Sequence, residues 1–463
     1  MKHTNRVVAT FIVAVLVAVF CGISAPARAQ GFGVYEQGAC AMGRAGSGVA
    51  SPCDDGSGIF FNPAGLALEG KPVVSATVTG IAPRGTFTNS STNLVSTLND
   101  RTIPVPAGYF AAPLGKSAVL GLGVFAPYGL VSDWPATAEG RYLGYSSSIK
   151  SIYVQPTLAF RLSDQVMVGV SIDITHTSLE LRKRVDLATL PISGTPLTFG
   201  MIGVPRGTDV ADVDRPGTGN TIGAHIGIIM KANDRFSIGA RYLMKQSVSV
   251  SNGQIATQQI NTGLTLRVPL GASLPAGTPI DAIVKSAFAP GGLLSNQTAT
   301  TSIPMPGQFV VGVALQPTKN LTLLADYQLT QWSAFDQIVI VNQYAPTTTL
   351  VESYTDTNGV RIGAEYSVGR GVVRLGFDGH GAGAPDQTVT PLLPEASRKE
   401  FTVGAGLPLG AKMRFDVAYM YINQADRAGR STDGGLAAPT AAVNNGTYHY
   451  NANLFSAGFV VHF

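Results

Sequence analysis

The side chains able to do chemistry are few and scattered. Asp173 and His176 come nearest to an acid–base pair, but they lie an odd number of positions apart, so a continuous strand sends them to opposite faces. The sequence holds no G-x-S-x-G, H-E-x-x-H, Walker or G-x-G-x-x-G signature, and no catalytic set, cofactor or metal is expected from it. Of three cysteines, Cys21 falls in an apolar N-terminal stretch, leaving Cys40 and Cys53. In an exported chain two remaining thiols pair more readily than they stay free, and closing so short a loop contributes roughly 3 kcal/mol. No His lies near them, which makes a metal site a poor reading. The third set is cationic: Arg161, Arg241, Lys245, Arg361, Arg374 and Arg414 matter only if the elements that carry them turn them the same way.

Export is written at the N-terminus. Lys2 and Arg6 precede an apolar run from Val7 to Ile23, and Ala27-Arg28-Ala29 supplies small residues at both recognition positions ahead of a cut before Gln30. Residues 1–29 are therefore read as a signal peptide, in preference to a permanent anchor. Of the 463 residues, 13% are charged, against roughly a quarter in soluble proteins, while 45% are hydrophobic and 54 are Gly. Disordered tails, coiled coils and collagen-like repeats are excluded. Removing Lys2, Arg6 and Arg28 lowers the net charge from +4 to +1, too little for a nucleic-acid footprint.

No later stretch has the length of a helical membrane span, whereas period-two alternation is widespread. Ile152, Val154, Pro156, Leu158, Phe160 and Leu162 share one face; after Ser163-Asp164, Val166, Val168, Val170, Ile172 and Ile174 repeat the pattern. Such a pair is a β-hairpin. Further hairpins join Gly108–Leu114 to Ala118–Phe125, Ile222–Met230 to Phe236–Met244, Phe309–Leu315 to Leu321–Leu329, Val360–Val368 to Val373–Phe377, and Phe401–Leu407 to Met413–Tyr421. With single strands at Val73–Ile81 and Phe455–Phe463 the total is fourteen. Long polar connections near 83–107, 128–150, 180–219, 247–305, 332–357, 379–399 and 424–449 alternate with the short turns. Short turns alternating with long loops mark an all-β, antiparallel transmembrane barrel in an outer membrane, with both chain ends in the periplasm. A soluble sandwich or propeller fits this rhythm less well. The last strand, ending on Phe463, resembles the signal read by the barrel assembly machinery.

The segment after the cut reads Gly31-Phe32-Gly33, Gly43-Arg44-Ala45, Asp54-Asp55, then Asn62-Pro63-Ala64. Phe125-Ala126-Pro127-Tyr128-Gly129, Trp134, Gly140-Arg141-Tyr142, Ala325-Asp326-Tyr327, Trp332-Ser333 and Pro385-Asp386 follow. In order and spacing the series resembles the FadL family, outer-membrane transporters of long-chain fatty acids and other hydrophobic compounds. The resemblance implies a fourteen-stranded barrel (71–463) plugged by an N-terminal hatch (30–70), with gating at Asn62, Pro63 and Ala64. It also implies a kinked strand releasing ligand sideways to outer-membrane lipid, for which Gly121, Gly123 and Pro127 are the candidates.

Bottom-up, residues 30–70 are Gly- and Ala-rich without sustained alternation, as a plug must be, and Pro63 keeps Asn62 out of the helical region. An i, i+3, i+4, i+7, i+8 stripe at Ile280, Ile283, Val284, Ala287 and Phe288 predicts a short amphipathic helix in the fourth long loop, and Phe199 lies in an apolar third loop. Apolar loops outside a barrel either pack on each other or form a landing groove for ligand; both roles are expected. Arg161, Arg241 and Arg361 are candidate partners for a carboxylate, against the reading that wall acids neutralise them. A monomer is expected. The rival functions are a diffusion porin and, behind it, a β-barrel hydrolase.

Overall fold

The computed structural model describes residues 31–270, 273–429 and 444–463; the signal-peptide reading lies outside them. Fourteen antiparallel strands make the wall: β1 (Val73–Asn89), β2 (Ile103–Pro113), β3 (Ala118–Asp133), β4 (Ser146–Arg161), β5 (Val166–Asp186), β6 (Asp209–Asn233), β7 (Phe236–Leu243), β8 (Gln308–Thr318), β9 (Leu321–Thr330), β10 (Thr357–Val368), β11 (Gly371–His380), β12 (Arg398–Leu409), β13 (Met413–Gln424) and β14 (Gly446–His462). Each pairs with the next, and β14 closes on β1 from Val73↔His462 to Asn89↔Gly446. Closure is what lets strands sit in hydrocarbon, because an open edge there would leave amide groups without partners. The alternation read from sequence is the inside–outside alternation of this wall. Val78, Ile174, Ile222 and Phe459 face outward and exposed, while Tyr153, Gln155, Thr157 and Asp173 are buried inside.

The strands run farther than their apolar alternation predicts. The first extends past Ile81 to Asn89, and β5 and β6 stay paired through Lys183↔Val213 up to Asp186↔Asp209, so the connection expected over 180–219 shrinks to 187–208. Beyond the bilayer both faces meet water or protein, so hydrophobic alternation ends while backbone pairing does not. The 247–305 connection likewise contains a strand pair, Gln246–Gln259 with Gln297–Met305, and the helix α3 (Ile280–Phe288).

Residues 31–68 fill the interior and are buried nearly throughout. They contain two short helical turns, α1 (Ala39–Met42) and α2 (Gly58–Phe61), and a 3-10 turn at Pro63–Leu68. Cys40 and Cys53 are bonded, S–S 2.04 Å. Asn62 is extended, φ −171°, and its side chain ties three segments: Nδ2 donates to the carbonyls of Val49 (2.6 Å) and Ile228 (3.1 Å), while Oδ1 accepts from the Ala64 amide (3.1 Å). The wall makes room with glycines. A Cβ at Gly227 would collide with Asn62 Oδ1, one at Gly169 with the Pro63 backbone, and one at Gly239 with Val49.

Two outcomes are expected. Gly227→Val leaves the wall closed but unseats the interior segment at a cost of about 1–3 kcal/mol, read as a lower unfolding temperature together with raised ion conductance in planar bilayers. Protein denatured without reductant takes up no alkylating reagent; two modified thiols by mass spectrometry would contradict the Cys40–Cys53 bond.

Candidate functional site

The wall is not uniformly zipped. β2 pairs with β3 only from Gly108↔Val124 to Pro113↔Val119, whereas Ile103–Ala107 pair with β1 alone. Pro104 and Pro106 bring no amide donors to this stretch. On the other side of β3 the pairing with β4 shifts register between Phe125 and Tyr128, at Ala126-Pro127. The N-terminal segment moves into the space: Val34 N–H donates to the Pro127 carbonyl (2.8 Å) and Gly129 N–H to the Phe32 carbonyl (2.9 Å). Gly121 and Gly123, the other kink candidates, do not interrupt the ladder; they remain paired with Thr157 and Gln155. Their role is steric, since a Cβ at Gly121 would stand 2.5 Å from Leu66 and one at Gly123 2.8 Å from Ile59.

A cavity of about 340 Å³ lies against this gap, lined by Val105, Pro106, Val124, Ala126 and Leu130 among others. A second, of about 80 Å³, lies under the loops between Leu179, Leu181, Val250, Ile338, Ile340 and Leu350. Phe32, Leu130, Ile149 and Leu393 line both. Phe32 is held edge-on by Trp332 (centroids 4.7 Å), Phe335 (5.4 Å) and Tyr128 (6.0 Å). Gly31 is required beneath that cluster: its φ is +54° and a Cβ there would be 2.5 Å from the Trp332 ring.

The helix expected from the apolar stripe forms over Ile280–Phe288, but its buried face, Ile280 and Val284, belongs to the packed interior of the loops, as does Phe199. Ile283 and Phe288 are partly buried against the same core, and none of these residues lines either cavity. The loops' apolar residues thus hold the loops together, and the accessible apolar surface sits deeper, around Phe32.

Of the six cations picked out by alternation, Lys245 is exposed and the five arginines are struts. Arg161 donates to the Ala67 carbonyl (3.1 Å). Arg241 donates to Gln308 Oε1 (3.0 Å) and Tyr35 Oη (3.1 Å). Arg361 pairs with Asp378 (3.1 Å), donates to Gln328 and lies 3.9 Å over the Tyr35 ring. Arg374 bridges Glu365 (2.7 Å) and Asp416 (2.8 Å), and Arg414 joins Asp416 to Asp54. The Asp326 carboxylate receives the amides of Gly48 (2.8 Å) and Val49 (3.0 Å). Asp378, His380 and Glu400 cluster closely enough to hold a metal, but Arg361 already pairs with Asp378, and His380 Nε2 lies 3.1 Å from Glu400 Oε1. Sequence reasoning missed Arg215 and Lys183, which lie on the inner face of the β5–β6 extension. That stretch had no apolar alternation to assign it a facing.

Apolar cavities inside a lipid-facing wall are what a barrel needs to pass water-insoluble molecules rather than ions, which places the molecule among the transport channels of the Gram-negative outer membrane. The chain belongs to the outer membrane protein transport protein family (OMPP1/FadL/TodX), whose model matches residues 20–463, a family of transporters and not of enzymes. It is similar to the 47 kDa outer membrane protein of Pasteurella multocida, 22% identical with 91% of this chain and 93% of the relative covered. A long-chain fatty acid transport protein of Shigella flexneri is 21% identical, covering 87% and 89%. In fold it resembles the crystal structure of a Pseudomonas aeruginosa FadL homologue, TM-score 0.78, 20% identical, covering 94% of this chain and all of the other.

Asp326→Ala strands two buried amides, at roughly 1–3 kcal/mol each; hydrogen exchange at Gly48 and Val49 is expected to accelerate while amides of β8 and β9 stay protected.

Proposed function

We propose that this member of the family takes up long-chain fatty acids and similar hydrophobic molecules, lodging them first in the cavity under the loops, passing them by Phe32, and releasing them sideways between β2 and β3. The carrying observation is that the larger cavity adjoins the one stretch of described wall where β2 and β3 stand unpaired. An apolar molecule leaving there enters lipid directly and never meets periplasmic water, which removes the hydrophobic cost of crossing the axis. Its volume, about 340 Å³, falls at the lower end of small-molecule sites.

Phe32 stands between the two cavities, and it is carried by the same segment whose Asn62-Pro63-Ala64 turn is pinned to the wall. In this reading residues 31–68 act as a hatch: its N-terminal end shifts to let ligand pass, and the turn keeps the remainder seated. A general porin would instead need an open axis, and the arginine struts between this segment and the wall argue against one.

The reading is tested by uptake of radiolabelled oleate into cells that lack their own transporter and express the full chain. Ala126→Trp, which fills the cavity beside the gap, is expected to cut uptake at least tenfold while leaving surface binding in place. Unchanged uptake would remove the lateral route; no uptake by the wild type, with open-pore conductance in bilayers, would leave a porin.

A further inference from the structure

The connection from β11 to β12, residues 381–397, does not stand out from the barrel as an extracellular loop would. Of its residues only Asp386 and Gln387 are exposed. It folds inward and reaches the inner face of β3 and β4, on the opposite side of the wall. There Ser132 Oγ (2.7 Å) and Trp134 Nε1 (3.0 Å) donate to the Pro391 carbonyl, and Ser147 Oγ donates to that of Leu392 (2.7 Å). On the near side Gln424 Nε2 donates to the Pro394 carbonyl (2.7 Å) and Asn444 Nδ2 to that of Val389 (3.0 Å). Two glycines let the far contact close: a Cβ at Gly140 would collide with the Pro391 ring, and one at Gly144 with Leu392.

This strap divides the two cavities. Thr390 and Leu392 line the one under the loops, Pro394 and Glu395 the one at the gap, and Leu393 lines both, as Phe32 does. A molecule travelling from one to the other has to part Leu393 from Phe32, and the way the strap is held permits it. Between Pro385 and Pro394 every backbone-to-backbone bond among the described residues is internal, such as Leu393 N–H to the Thr390 carbonyl (3.2 Å). Wall side chains therefore hold the strap through single hydrogen bonds, which open without unzipping a ladder.

Its root is tied to the N-terminal segment. The buried Glu395 carboxylate accepts the amides of Gly383 (3.1 Å) and Ala384 (3.0 Å) and, across the seam, that of Gly31 (3.4 Å), while Arg398 donates to the Gly31 carbonyl (3.5 Å). Gly31 and Phe32 are adjacent, so displacing the strap pulls on the ring that closes the same passage.

We propose that residues 381–397 are a gate between the two cavities, moving together with Gly31 and Phe32, and that Glu395 is the joint between them. This rests on the uptake reading above and adds a second moving part to that route.

The test locks the strap with a disulfide. A Cβ at Gly140 lies 3.5 Å from that of Pro391, at the short end of the roughly 3.5–4.5 Å that a disulfide spans. Gly140→Cys/Pro391→Cys in the full chain, expressed in transporter-deficient cells, is expected to lose about tenfold or more of its oleate uptake on oxidation and to regain it with dithiothreitol. Wild type and Pro391→Cys, carried through the same treatments, stay unchanged, and mass spectrometry without reductant confirms the cross-link. Undiminished uptake by the cross-linked protein overturns the gate and spares the uptake reading; a wild type that takes up no oleate overturns both. Should the bond fail to form, or heat-modifiable gel mobility show an unfolded barrel, Glu395→Gln decides by hydrogen exchange. Faster exchange in residues 31–36 and 381–397 together, with β11 and β12 still protected, supports the joint; a change confined to 381–397, or none in either, overturns it.

Discussion

An amide or carbonyl without a partner costs several kcal/mol in hydrocarbon, and nearly every feature of this molecule follows from avoiding that cost. It forces the strands to close, β14 onto β1, over the full length of both. Closure creates an interior, and the interior must be filled or it conducts. The chain fills it with its own N-terminal segment, whose polar backbone then needs partners in turn. Asp326, Asn62 and Gln37 supply them from the wall or to it: Gln37 Nε2 donates to the Ala126 carbonyl (2.8 Å), and its Oε1 receives the Ala126 amide (3.1 Å). The unzipped stretch of β3 is where the same debt is met across the lumen, because Phe32 and Val34 bond to the strand that β2 has left.

This explains a division of labour among charges that composition alone hides. Deep arginines are spent on architecture. A lone buried guanidinium is expensive, so Arg361 and Arg374 sit where Asp378, Glu365 and Asp416 balance them. Arg215, on the extension of β5 and β6, has no ion pair among the described residues, and its Nε is buried without a partner.

What the sequence disclosed and what it hid divide along the same physical line. Within the bilayer lipid imposes an outside on every strand, so Ile152 to Leu162 or Phe401 to Leu407 could be placed and oriented from residue types alone, and fourteen strands counted. Above it that solvent rule lapses, and Arg215 and Lys183 passed for loop. The stripe at Ile280 located helix α3 to the residue, but periodicity reports that one face is buried and not what buries it; ligand and neighbouring loop look alike. Gly121 and Gly123 misled in a related way. Glycine in a strand signals either a broken ladder or a close neighbour, and the neighbour, Ile59 or Leu66, is more than fifty positions away in sequence.

The glycines at 169, 227 and 239 carry one consequence beyond packing. They fit the wall to one particular plug as a lock's wards fit one key, so the two cannot vary independently. Grafting the N-terminal segment of a relative into this wall would fail wherever that relative's contacts demand a different set of keyholes, even if both pieces were sound in their own proteins. Diversity in what such channels carry is therefore freer to arise in the upper rim, where strands have outgrown the membrane, than along the seam between plug and barrel.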